Sequence, residues 1–86
     1  MMEAYVLVQT DMSRDPIADA LRTIPGVENV EDLSGPYDAI VVASYDPHAR
    51  PIEAIVDEIL NVPRVTRALV APVVRSFAGA TNGEAA

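Results

Sequence analysis

The 86-residue sequence predicts an α+β sandwich, in which two helices lie against one face of a four-stranded antiparallel sheet. Three observations carry this. Two segments repeat apolar residues at helical spacing, and four others are short runs rich in β-branched residues, in the order strand, helix, strand, strand, helix, strand. Turn residues separate the segments. A weak internal repeat relates the halves, because a strand and an amphipathic helix lead to Ile24-Pro25-Gly26-Val27 and again, 38 residues later, to Val62-Pro63-Arg64-Val65.

The first strand is Ala4-Tyr5-Val6-Leu7-Val8-Gln9-Thr10, which runs into the polar stretch Asp11 to Asp15. Asp15-Pro16 opens the first helix: aspartate accepts a free backbone N–H at the N-cap, and proline needs no donor at the first helical position. Ile17, Leu21 and Ile24 form its apolar side, and Pro25-Gly26 stops it. The second strand, Val27 to Leu33, carries Glu28, Glu31 and Asp32, a charge load suited to an edge. After the turn Ser34-Gly35-Pro36, residues Asp38 to Tyr45 are apolar at nearly every position, the pattern of a central strand covered on both faces. A turn over Pro47 to Ala49 precedes a helix beginning near Arg50, with Ile52, Ile55, Val56 and Ile59 at i, i+3, i+4 and i+7. The last strand spans Val65 to Val74, and Pro72 assigns it to an edge. Residues 1–75 form the domain, and Ser76 to Ala86, small and polar, reads as a frayed tail. Two right-handed halves of this length interleave as a ferredoxin-like βαββαβ sandwich, with strands one and three central and two and four at the edges.

Composition narrows the function. Six arginines, no lysine and thirteen carboxylates leave a net charge of -7, which argues against duplex nucleic acid and anionic membranes, whose binders neutralise phosphates with clustered cations. With no cysteine and a lone histidine, His48, neither disulfides nor a structural zinc site are expected. The apolar stretch Ala4 to Val8 is far shorter than the ~20 residues of a membrane helix, and the expected location is the cytoplasm.

A chain this short buries only about two-thirds of its unfolded surface, so its core is thin. Its two helices cover one face of the sheet, yet the central strands are apolar on both. Tyr5, Leu7, Ile40 and Val42 occupy the second face and are expected to form a dimer interface, sheet on sheet, closing an α/β barrel and burying upwards of ~2,000 Å² in total.

Gly35-Pro36-Tyr37-Asp38 is the most pointed candidate for chemistry. It reads in one way as a ligand site, with the Asp38 carboxylate pairing a ligand ammonium, and in another as a hairpin turn whose aspartate bonds its own backbone. His48 is a general base or, more simply, a solvated loop residue, since no nearby constellation of Ser, Cys or carboxylates suggests a reaction. Arg64, Arg67 and Arg75 either grip an anion or balance acidic surface and pair across a subunit interface. Glu28, Glu31 and Asp32 alternate across a strand and read as a solvated edge rather than a cation site. No phosphate loop, nucleophile elbow or metal-binding helix motif is present.

Taken in order, Ala4-Tyr5-Val6-Leu7-Val8, Ile24-Pro25-Gly26-Val27, Gly35-Pro36-Tyr37-Asp38 running into Ala39-Ile40-Val41-Val42, and Val62-Pro63-Arg64-Val65 with the final strand resemble the effector-binding (RAM-type) C-terminal domain of the Lrp/AsnC, or feast/famine, regulators. The resemblance spans roughly residues 4–74. It implies a non-enzymatic module whose ferredoxin-like dimers assemble into tetramers, octamers or decamers and bind an amino acid or related metabolite between dimers. Because the chain begins at the first strand, it resembles a stand-alone version without the helix-turn-helix, acting on transcription through a DNA-binding relative. The family's Gly-x-Tyr-Asp turn carries over to Gly35, Tyr37 and Asp38. Ala68 and Val70 stand about where other members place ligand-holding hydroxyls, which points to a more apolar ligand or none, and Arg64 stands where many members have glycine. Two other readings of the fold are a dimeric α/β-barrel enzyme and a purely structural assembly partner. No cofactor is expected.

Overall fold

A computed structural model describes residues 2–11 and 17–72. The elements are β1 (Met2–Thr10), α1 (Ala18–Arg22), β2 (Val27–Asp32), β3 (Ala39–Tyr45), α2 (Ile52–Leu60) and β4 (Val65–Pro72). All strand pairs are antiparallel and the sheet order is β2-β3-β1-β4. The ferredoxin-like arrangement is therefore present, with β1 and β3 central and the acidic β2 and proline-bearing β4 at the edges. The expected helix start at Asp15-Pro16, Val73 and Val74 of the last strand, and the tail from Ser76 lie outside the described residues.

Several boundaries differ from the sequence reading for local reasons. β1 begins at Met2, because Met2 and Glu3 pair with Tyr45 and Ser44. β3 begins at Ala39 and β2 ends at Asp32, and just beyond this last pair the Leu33 N–H donates to the Asp38 carbonyl (2.8 Å) and closes the connecting loop. α2 begins at Ile52 rather than near Arg50, with Pro51 extended at its N-cap (φ -67°, ψ 162°). Arg50 precedes a proline, whose ring disfavours helical backbone in the residue before it.

The core lies between the helices and one face of the sheet. Ala4, Val6 and Val8 of β1 and Ala39, Val41, Ala43 and Tyr45 of β3 point into it, with Val30 from β2. Small residues at the centre let the helices approach closely. From α1 come Ala18 and Leu21, flanked by Ile17 and Ile24, and from α2 come Ile55 and Ile59, both fully buried. Ile52 and Val56, on the same apolar stripe of α2, are only half-buried. At five residues α1 is too short to persist alone, so it depends on this packing and on Arg22, which pairs with Asp19 (3.1 Å) and donates to the Val30 carbonyl (3.1 Å).

The repeated tetrapeptides are equivalent turns. In each, proline takes the second position, a positive φ the third, and the fourth N–H donates to the first carbonyl (Val27 to Ile24, 3.1 Å; Val65 to Val62, 3.2 Å), the arrangement of a type II turn. Gly26 supplies the positive φ in the first (98°) and Arg64 in the second (81°). A glycine is unavoidable at 26 for a further reason: a Cβ there would stand 2.7 Å from Ile55 Cδ1 and 3.0 Å from the Ser44 carbonyl oxygen. Arg50 secures this turn, donating from Nε to the Pro25 carbonyl (3.1 Å) while its guanidinium pairs with Glu58 of α2. Gly26→Ala combines left-handed backbone with overpacking and is expected to lower unfolding free energy by about 2–4 kcal/mol, measured by chemical denaturation.

Candidate functional site

Three features stand outside the core: the uncovered sheet face, the loop between β2 and β3, and a cleft between α2 and β4. Strand alternation builds the first. With one set of side chains facing the helices, the register places Val42, Tyr5 and Ala71 in one row across β3, β1 and β4, and Ile40, Leu7 and Leu69 in the next. Tyr5 is 44% exposed and Leu69 49%, while Leu7, Ile40 and Val42 are half-buried. The four residues expected at a dimer interface therefore share one apolar patch, and Leu69 and Ala71 extend it. Sequence reasoning missed those two, since strand four showed no period that separated its faces until the register was known.

The loop carries Gly35, Tyr37 and Asp38. Gly35 adopts φ 139°, a conformation reserved for glycine, and nothing lies within 4 Å of the position a Cβ would take. Asp38 is committed to the fold. Its Oδ2 accepts from the Thr10 backbone N–H (2.7 Å) and from the Thr10 hydroxyl (3.0 Å), while its own N–H donates to the Val8 carbonyl (2.9 Å). The Gln9 side-chain amide adds a bond to the Pro36 carbonyl (2.8 Å). The expected alternative, an aspartate bonding its own loop, thus takes a longer-range form: the carboxylate extends the β1 ladder past its last pair with β3.

Ala68 and Val70 lie on β4 and face the helices, half-buried against the core. Val70 lines a cleft of about 320 Å³ with Ile52, Glu53, Val56 and Asp57 of α2. The loop residues and the β4 residues do not share that cleft. Val8 pairs with Ala39 on one side and Ala68 on the other, so β1 runs between the two halves of the expected ligand site.

The remaining candidates are dispersed. His48 is exposed in the turn before α2, where its backbone N–H donates to Asp46 Oδ1 (2.9 Å). Arg64 and Arg67 are exposed, and Arg75 is outside the described residues. Glu31 accepts a hydrogen bond from the Asn29 amide (3.0 Å), and among the described residues no group of three His, Asp or Glu side chains could hold a metal ion. No helix among the described residues is long and apolar enough to cross a membrane.

No family model matches the sequence. No curated protein matches it either. Solved structures do match. The fold is similar to TTHA0845 from Thermus thermophilus (TM-score 0.77, 23% identity, covering 90% of this chain and 98% of that one) and to FFRP-DM1 (TM-score 0.74, 21% identity, covering 86% and 100%). It is also similar to the feast or famine regulatory protein Rv3291c from M. tuberculosis complexed with L-methionine (TM-score 0.72, 19% identity), of which this chain covers 56%. The chain thus has the fold of the feast/famine and leucine-responsive regulators.

Because two hydrogen bonds converge on the Asp38 carboxylate, Asp38→Ala is expected to cost about 1 kcal/mol without any ligand, the bonds being discounted for solvent exposure. Urea denaturation of the two proteins measures it.

Proposed function

We propose that the chain is a non-enzymatic, oligomeric effector-binding module of the Lrp/AsnC type, which takes up an amino acid or related small metabolite in the cytoplasm and acts on transcription through a DNA-binding relative. One observation carries the reading: the chain shares its fold, over nearly its whole length, with regulators that include one bound to L-methionine. The apolar sheet face supports the oligomer. Six side chains of a size suited to a core stand there without cover, and a second copy of the same face supplies cover by symmetry. The patch also speaks against catalysis within a barrel, since Tyr5, Leu7, Ile40, Val42, Leu69 and Ala71 include no acid–base pair.

The ligand site is assigned to Gly35, Tyr37 and Asp38 in the loop, with Ala68 and Val70 completing it from another copy. The division of these residues by β1 supports a site built between subunits, and the open space at Gly35 leaves its backbone free to approach a ligand. Without hydroxyls at 68 and 70 the effector is an apolar amino acid, because a polar one would forgo hydrogen bonds worth about 0.5–1.5 kcal/mol each. A second reading, an assembly partner with no ligand, draws on the Asp38 carboxylate, which Thr10 already occupies.

A thermal-shift screen over the amino acids and common metabolites, run beside Asp38→Ala, separates the two. A ligand at about 100 times its Kd stabilises by roughly 2.7 kcal/mol, and the variant is expected to lose that increment beyond its lower starting midpoint. Absence of any shift in the wild type favours the assembly partner, and equal shifts in both proteins move the site away from Asp38.

A further inference from the structure

The cleft between α2 and β4 joins an apolar floor to a rim of one charge sign. Ile52 and Val56 belong to the apolar stripe of α2, yet they stay half-buried where Ile55 and Ile59 on the same stripe are fully buried. The cause is their position. β4 is an edge strand, so no further strand continues the floor beyond it, and β4 contributes only Val70, itself half-buried, to the lining. What remains is an opening of about 320 Å³, at the small end of sites that hold an organic molecule and too small for another helix, whose diameter is about 10 Å.

Glu53 and Asp57 line the same cleft. They stand one helical turn apart, both are exposed, and among the described residues neither side chain has an ion-pair or hydrogen-bond partner. Glu58 turns to Arg50 instead, and no residue of α2 is basic. Two like charges at this spacing repel, and a cation seated between them relieves that repulsion. An added carboxylate does the opposite. The chemistry that matches floor and rim together is a small primary amine with an apolar body and no acidic group, because its ammonium meets both carboxylates while its body displaces water from Ile52, Val56 and Val70.

We propose that this cleft is a binding site for such amines, separate from the loop at Gly35 to Asp38. The proposal stands without the effector reading above, with which it shares only Val70. Glu53 and Asp57 set the selectivity, accepting an amine and repelling any molecule that brings a carboxylate to the rim.

The probe is isoamylamine, added to the full chain and followed through the methyl resonances of Ile52, Val56 and Val70, which stay observable in a large assembly. Isoamyl alcohol and isocaproate carry the same kind of branched apolar body with a neutral and an anionic head. The amine is expected to move these methyls saturably at low salt, the alcohol to bind about 10-fold more weakly, and isocaproate not to bind. Glu53→Gln combined with Asp57→Asn, two exchanges at exposed positions, is expected to remove the amine's advantage over the alcohol. Equal affinity for amine and alcohol in the wild type, or an advantage that survives in the double variant, overturns the proposal. Methyls that stay unmoved at millimolar amine overturn it too. Shifts of the same methyls on dilution, without amine, identify the cleft as a contact between copies and likewise overturn it. The loop takes no part in this measurement, so a negative amino-acid screen leaves the result intact.

Discussion

Two helices of five and nine residues can shield only one side of a four-stranded sheet, and this coverage deficit organises the rest of the molecule. On the shielded side, alanines at 4, 39 and 43 bring the helices close, and Leu21, Ile55 and Ile59 fill the space that remains. On the other side Tyr5, Leu7, Ile40, Val42, Leu69 and Ala71 form a surface with the chemistry of an interior. Transfer of such a surface out of water gains roughly 25 cal/mol per Å², a driving force that a second copy can collect and a monomer forgoes. For a domain of this size, whose own core is thin, that gain is comparable with the whole net stability.

The same economy explains the two repeated turns. Each reverses the chain from a helix into an edge strand by a proline at one position and a left-handed residue at the next, and each is closed by one backbone bond. They differ in how tightly they are built. Gly26 lies against Ile55 and the Ser44 carbonyl and is fastened through Arg50, whereas Arg64 holds a left-handed backbone without glycine, its carbonyl receiving the Asp11 N–H (2.9 Å). The turn leading into the acidic edge is packed against α2 and β3, and the one leading into β4 closes onto the end of β1.

Much of this was legible in the residues. Strand and helix order followed from periodicity, and the edges followed from the charge on β2 and from Pro72, because both are local chemical properties. Central strands apolar on both faces already implied a second covering layer. What stayed hidden depends on long-range pairing. The role of Asp38 rests on Thr10, 28 residues away; the place of Leu69 and Ala71 on the open face rests on their register with Leu7 and Tyr5; and the separation of the loop from Ala68 and Val70 follows from β1 passing between them. The turn at Gly35 to Asp38 is thus readable in composition, while its division of labour between folding and binding is written in tertiary structure.

If cover for the open sheet face is the constraint on which the fold depends, folding and association are one equilibrium. The direct measurement is the thermal midpoint as a function of protein concentration, over about a hundredfold range, because a species that unfolds with dissociation is stabilised by mass action. A midpoint that climbs steadily with concentration is the expected result. A midpoint that stays constant, with a single cooperative transition, would show that the chain holds its fold alone with that face in water.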